Sequence, residues 1–423
     1  MSDSSPPLAS AEIIAVGTEM LGPTRLDTNS LFVAGRLAAL GIELRAKAVV
    51  GDDRRRLADV FKGALSRADL VILTGGLGPT DDDLTREVIA EALGLELRED
   101  PAIVAQIEAR FARRNLRMPN VNRRQAMVPR GATVLENPRG TAPGLLIEHD
   151  RRLVTLLPGP PREMQPMFDD LCQRVLARRG GAFRVHTATL FVTGRGESHV
   201  EEIVQPIYSR WTSETPPIET TILAAPGQVE LHLSLRADSD TVAAERLRRA
   251  HEELRNALGA DVFSTDGRAM EEVVGALLRD RGLTIAAAES CTGGLLMSRV
   301  TDVAGSSDYV AGGVVVYSNE LKTSLAGVPA ALIQAHGAVS EPVAAALADG
   351  IRARTGASIG LGITGIAGPG GGTPDKPVGT VAIAFSSADF GSRVRTFSLI
   401  GGRAQVKFQA TQAALDMVRR ALT

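Results

Sequence analysis

The sequence predicts an α/β protein in which two three-layer α/β domains are joined by a small α+β domain, and three observations carry that prediction. Strand and helix patterns alternate over residues 11–172 and again over 269–423, as sheets with parallel crossovers require. The intervening residues 183–265 have a different texture, with extended segments running into one another before a long helix. A chain of 423 residues is also too long for one ordinary core.

The elements follow in order. "EIIAVG" reads as a strand, and "NSLFVAGRLAALG" as an amphipathic helix closed by Gly41. "ELRAKAVVG" is a strand and "RRRLADVFKGALSRA" a helix. "DLVILTGGLGPT" is a buried strand entering a glycine-rich loop, "DDLTREVIAEALG" the helix after it, and "LVTLLPGPPREM" a late strand ending in a Pro-Gly turn. The middle unit has "RVHTATLFVTG", a short helix, "PIETTILAAPG", "QVELHLSLRA" and the helix "TVAAERLRRAHEELRNALG". Its Gly194-Arg195-Gly196 lacks the GxxG spacing of a KH loop that clamps nucleic acid, so a spacer or docking domain is expected. From Ala269 come a helix, the strand "LTIAAA", the turn "ESCTGG", a helix and the strand "YVAGGVVVYS". A helix from Pro342, the strand "SIGLGIT", a glycine-rich loop, the strand "GTVAIAFSS", a further strand and a terminal helix complete the series.

Composition narrows the function classes. Hydrophobic content of 44% fits a folded chain, and a net charge of −2 argues against a general nucleic-acid binder. Arg113-Arg114 and Arg178-Arg179 are expected to be solvated helix faces. Two cysteines, Cys172 and Cys291, make neither a disulfide framework nor a cysteine-rich zinc site. "MSDSSPPLAS" has neither the basic nor the apolar region of a signal peptide and is expected to be a floppy tail. No apolar stretch reaches the ~20 residues needed to span a bilayer. A cytoplasmic protein without membrane partners is expected.

Three loops in the last 155 residues bring polar groups to strand ends, where open α/β sheets place ligands. In "AAAESCTGGLL" a serine between strand and helix can lie beside several unpaired backbone N–H groups, which suit an oxyanion. The alternatives are Cys291 as nucleophile, or simply a tight turn with Cys291 as a packing residue. In "YSNELK", a partly desolvated lysine can act as a base for serine. In "TGIAGPGGGTPDKPVGT", glycines let a backbone approach a phosphate closely. The six histidines are scattered, with His336 expected in a loop, so no Ser-His-Asp arrangement is attractive.

The segments "AESCTGGLL", "GGVVVYSNELK", "GVP", "AHGAVSEPVA", "ITGIAGPGGGTPDKPVGTV" and Gly402-Arg403 closely resemble the C-terminal domain of the CinA family, whose members include nicotinamide-nucleotide amidohydrolases. The resemblance implies Ser290 as nucleophile, Lys322 as its base and Tyr317 beside the pair. It places Thr364 and Arg403 at the substrate, Arg403 at the 5′-phosphate, with Gly293, Gly294 and Gly368 also expected to bind substrate. The implied reaction is hydrolysis of nicotinamide mononucleotide to nicotinate mononucleotide and ammonia, with no cofactor.

The N-terminal "TGGLGPTDDDLT" opens a helix, where backbone donors from Gly75, Gly76, Gly78 and Thr80 favour a phosphate or pyrophosphate. Asp81, Asp82 and Asp83 would repel that anion unless a divalent cation intervened; equally, they could simply cap the helix. "GTEML", "LDTNS", "VVGDD", "TGGLGPTDDDLTRE", "NRRQAMVP", "GTAPG" and "LPGPPREM" resemble the CinA N-terminal domain, a molybdopterin-binding-like fold. That resemblance implies an ADP-ribose pyrophosphatase dependent on Mg²⁺, Mn²⁺ or Co²⁺, with Asp82 and Asp83 as metal ligands and Arg162 and Glu163 nearby. "MLGPTRLDTN" departs from the more apolar family pattern. The expected partners are pyridine nucleotides, ADP-ribose and a second copy of the chain in a homodimer, with no direct nucleic-acid binding. A non-catalytic partner in competence or DNA repair, or a molybdopterin-handling enzyme, are the rival readings.

Overall fold

The computed structural model describes residues 7–181 and 183–423, and these divide into two compact units. One runs through the N-terminal sheet to His186 and takes in Arg236–Ala243; the other holds Thr187–Leu235 and Ala244–Thr423.

The N-terminal sheet is built from β1 (Ser10–Val16), β2 (Glu43–Val50), β3 (Leu70–Thr74), β4 (Thr133–Leu135), β5 (Gly144–His149) and β6 (Arg152–Leu157), in the order β2-β1-β3-β6-β5-β4. The first four strands in that order are parallel, and β5 pairs antiparallel with both β6 and β4. Strand alternation divides the core between two faces. Ala11, Ile13, Leu70 and Ile72 face one cluster, with Val33 and Leu37 of α1 (Thr28–Ala39). Ile14, Val16, Val71 and Leu73 face the other, with Leu57 and Phe61 of α2 (Arg54–Arg67) and Val88 and Ile89 of α3 (Thr85–Ala92). Strand β5, which pairs with the expected strand β6 in an antiparallel hairpin, was not among the expected elements: its apolar run gives no period, and only the turn at Asp150-Arg151, both left-handed, marks it.

Of the expected N-terminal tail, the first six residues lie outside the described residues. The rest is not a tail. Leu8 is wholly buried and Ser10 opens β1, because Asp69 accepts from the amides of Ala9 and Ser10 and from the Ser10 hydroxyl. Arg179, expected on a solvated face, is buried at 5% exposure with Glu148 at 2.9 Å.

The middle sheet contains β7 (Arg184–Val192), β8 (Glu219–Ala225), β9 (Gln228–Ala237) and β10 (Val262–Ser264), ordered β8-β9-β7-β10, with α4 (Glu197–Trp211) and α5 (Asp240–Leu258). The C-terminal sheet contains β11 (Ile285–Glu289), β12 (Val310–Val315), β13 (Ile359–Gly365), β14 (Thr380–Ser387) and β15 (Gly391–Ser398), ordered β12-β11-β13-β14-β15. β12, β11 and β13 are parallel; β14 pairs antiparallel with both β13 and β15. Ile285 and Ala287 of β11 face α6 (Met270–Arg281) and α7 (Arg403–Leu422), while Ala286 and Ala288 face α8 (Glu341–Thr355). β11 is thus buried on both sides, which explains its unbroken apolar run. Among the described residues no helix is long and apolar enough to cross a membrane.

Candidate active site

The parallel strands β12, β11 and β13 end together, and their ends form the C-terminal site. Ser290 directly follows β11 and is pinned between its neighbours: its amide donates to Ile363 O at 2.9 Å, and Val316 N donates to Glu289 O at 2.8 Å. Beyond β12, Ser318 caps a short helix, α9 (Asn319–Ala326), by accepting from Leu321 N. One turn places Lys322 and Ala326 on the inner face of α9, so the lysine is buried at 2% exposure.

Lys322 Nζ lies 3.2 Å from Ser290 Oγ, 3.0 Å from Val316 O and 3.2 Å from Tyr317 O. Burial pushes its ammonium below the ordinary lysine value, against smaller opposing effects of Cys291 and Glu320. Nζ donates to all three oxygens, which holds it against the serine hydroxyl and the two carbonyls at the end of β12. Cys291 is different. Burial raises its thiol to about 11, which keeps it protonated and unreactive near neutrality. His336 ends a short helix, Ala330–His336, rather than standing in a loop.

Glu289 is the residue the sequence reading did not assign. It is wholly buried, and its carboxylate accepts from the amides of Gly294, Leu296 and Met297 at 2.9–3.1 Å. Those are the donors at the start of the next helix, Leu295–Thr301. The expectation of several unpaired donors beside Ser290 is therefore corrected: Glu289 takes three of them, and Gly293 N donates back to Ser290 O. The amides of Cys291 and Thr292 donate to no other residue among the described ones; that of Cys291 lies against its own thiol. A carboxylate immediately before the serine, followed by a helix start, was the available signal.

The rest of the expected C-terminal set is divided. Arg403, at the start of α7, donates through Nη1 to Gly368 O at 2.7 Å and through Nη2 to Tyr317 Oη at 3.1 Å. Tyr317 thus joins the two halves: its carbonyl faces Lys322 and its hydroxyl meets Arg403. Thr364 is buried at the end of β13, and its hydroxyl donates to Ala338 O at 2.8 Å, so it holds the loop after His336. Lys376 grips the same loop through His336 O and Val339 O.

In the N-terminal unit a cavity of about 700 Å³ opens where β1 and β3 end. Gly75, Gly76 and Gly78 line it, and glycine is required in this loop. Gly75 and Gly76 have positive φ, and a Cβ would stand 2.1 Å from Val16 O and from Thr85 Oγ1 respectively. Thr80 is not part of the lining; its amide and hydroxyl both donate to Asp83, at 2.9 and 2.5 Å. Asp83 is thereby committed to the turn, Asp81 pairs with Arg124 at 3.0 Å, and Asp82 stands exposed at the cavity. Arg162 lies 3.9 Å from Glu163, which lines the cavity and accepts from Asn137. The lining carries six carboxylates (Glu19, Asp27, Asp52, Asp82, Asp83, Glu163) against one guanidinium, Arg25. Among the described residues no three acidic, histidine or cysteine side chains cluster as a metal cage. Asp82 is engaged as well: its carboxylate accepts from Thr80 and from its own backbone amide, which together lower its pKa. With Glu19 it is among the lining carboxylates that would hold a hydrated divalent cation.

Comparison with known proteins follows the same divisions. Residues 267–422 match a family model described as the CinA C-terminal domain, and 12–178 one described as a probable molybdopterin binding domain. Residues 187–264 match one described as the damage-inducible protein CinA KH domain, a kinship that the missing GxxG loop conceals in the sequence. A CinA-like protein of Koribacter versatilis is 47% identical over 416 residues, covering 97% of this chain and 99% of the relative. A CinA-like protein of Acidobacterium capsulatum is 48% identical over 426 residues, with the same coverages. The crystal structure of the protein CinA from Thermoplasma acidophilum is 35% identical and covers 39% of this chain and 97% of its own, with a TM-score of 0.37.

Proposed function

We propose that this chain, which belongs to the CinA family, hydrolyses the carboxamide of nicotinamide mononucleotide through Ser290 and Lys322. The observation that carries the reading is the buried Lys322 Nζ at 3.2 Å from Ser290 Oγ, with its proton affinity lowered by burial. An amide is a poor electrophile with a poor leaving group, so its hydrolysis needs a deprotonated nucleophile and a proton for the departing nitrogen. Lys322 supplies both. It takes the Ser290 proton as Oγ attacks the carboxamide carbon, then gives it to the nitrogen as the C–N bond breaks and ammonia leaves. Water then attacks the ester on Ser290, passing its proton through Lys322 to Oγ and releasing the carboxylate. The oxyanion of each tetrahedral state is assigned to the amides of Cys291 and Thr292. Arg403, with no carboxylate partner, receives the 5′-phosphate.

The test is ammonia release from nicotinamide mononucleotide by the full chain in excess chelator, beside Ser290→Ala. Release by the wild type alone supports the reading. No release by a folded wild type overturns it.

The N-terminal cavity favours a second activity, cleavage of a nucleotide pyrophosphate such as ADP-ribose. Its support is the excess of carboxylates over cations in a glycine-lined cavity, which an unaccompanied pyrophosphate would not enter. A divalent cation there would neutralise the phosphoryl oxygens and acidify a water. AMP release from ADP-ribose with and without Mg²⁺ tests it. The middle unit is assigned no nucleic-acid contact: residues 187–264 hold seven arginines and no lysine against twelve carboxylates.

A further inference from the structure

Lys407 stands one helical turn beyond Arg403 on the same face of α7. It is half-buried and has no carboxylate or hydrogen-bond partner among the described residues. Its Nζ reaches the turn that carries Ser290: a Cβ on Gly293 would lie 3.5 Å from it. Arg403 also lacks an acidic partner and is held by neutral groups, Gly368 O and Tyr317 Oη. By contrast, Arg299 and Arg420 of the same unit are matched to carboxylates. Two uncompensated cations one turn apart, beside the serine turn, leave a charge of about +2 for a ligand to neutralise.

We infer that Lys407 and Arg403 together recognise the terminal phosphate monoester of the substrate, and that Lys407 sets the preference for a monoester over a nucleoside or an internal phosphodiester. This rests on the Ser290 amidase reading for the identity of the scissile amide, but not for the anion itself. The argument is one of charge matching. A phosphate monoester carries about −1.5 to −2 near neutrality, whereas each phosphate of a pyrophosphate diester carries a single charge and a riboside none. One cation would serve the diester as well as the monoester. The second distinguishes them. A lysine is suited to this part, since its point charge on a flexible stem adapts to an anion already oriented by the planar fork of Arg403.

The experiment compares Lys407→Gln and Lys407→Arg with wild type on nicotinamide mononucleotide, nicotinamide riboside and NAD, using ammonia release. In parallel, binding of nicotinamide mononucleotide to each is measured by calorimetry in a Ser290→Ala background. The expected result is that Lys407→Gln lowers the preference in kcat/KM for the mononucleotide over the riboside by at least tenfold, and weakens mononucleotide binding by a similar factor. Lys407→Arg should restore most of both. A structural role would depress all three substrates alike and would leave the ratio unmoved, which overturns the inference. Unchanged binding in Lys407→Gln also overturns it. If the wild type releases no ammonia but the Ser290→Ala protein binds the mononucleotide in a Lys407-dependent way, the phosphate site stands and the amidase reading falls.

Discussion

Arg403 Nη2 donates to Tyr317 Oη at 3.1 Å, and this one bond connects the start of α7 to the strand end that holds Lys322. Tyr317→Phe removes it while Arg403 keeps its bond to Gly368 O. A single hydrogen bond of this kind contributes about 0.5–1.5 kcal/mol, so KM for the mononucleotide should rise roughly two- to tenfold. Arg403→Ala should raise it much more, with kcat less affected. Steady-state kinetics on both variants checks the order; a larger defect in Tyr317→Phe would contradict it.

Burial lowers the proton affinity of Lys322 in the folded state. The unfolded chain therefore binds this proton more readily, and folding is penalised at pH below the folded value. The penalty fades as pH rises through the ordinary lysine value of about 10.4. Lys322→Met should thus gain most in Tm relative to wild type near pH 7, with the difference falling toward pH 10.5. Any cost of leaving Val316 O and Tyr317 O without donors is independent of pH. A difference that stays constant would contradict the buried-amine account. The same shift should draw the acid limb of kcat/KM below the ordinary lysine range.

Cys291, raised to about 11 and 6% exposed, should resist iodoacetamide at pH 7.5. Cys291→Ala should retain activity to within tenfold, about 1.4 kcal/mol. Rapid inactivation by the reagent, with alkylation mapped to Cys291, would return the nucleophile question to the cysteine.

Glu289→Gln leaves one acceptor oxygen where three buried amides converge. Stability should fall by about 1–3 kcal/mol, read as a shift in urea midpoint. Activity should fall with it, because the Ser290 turn loses its anchor. Unchanged stability would show that other groups hold the turn.

Asp82 and Asp83 should behave differently despite being adjacent. Asp83→Ala removes the acceptor for Thr80 and should cost about 0.5–2 kcal/mol. Asp82→Ala, which removes a carboxylate that accepts only from Thr80 and from its own amide, should cost less stability and should abolish cation-dependent AMP release. Equal effects on stability would contradict the division of roles.

The sequence made the fold class and the site's location legible because both depend on local signals. β11 is an apolar run between a helix and the turn after Glu289, and strand ends gather Ser290, Lys322 and Thr364 by topology alone. It could not show which polar groups were already engaged. Thr364 and Thr80 looked available, yet Ala338 O and Asp83 take their hydroxyls. Glu289 looked like part of a motif, yet it occupies the helix donors expected to face the ligand. These are pairings across a turn or a loop, and no period or spacing encodes them. Arg179 was misjudged for the same reason, since its contact with Glu148 spans 31 residues.

The most direct test of the central claim is mass spectrometry of the chain quenched during turnover of nicotinamide mononucleotide. The account predicts an adduct equal to the mononucleotide less ammonia, mapped to Ser290 and absent from Ser290→Ala. An adduct on Cys291, or ammonia release that persists undiminished in Ser290→Ala, would contradict it.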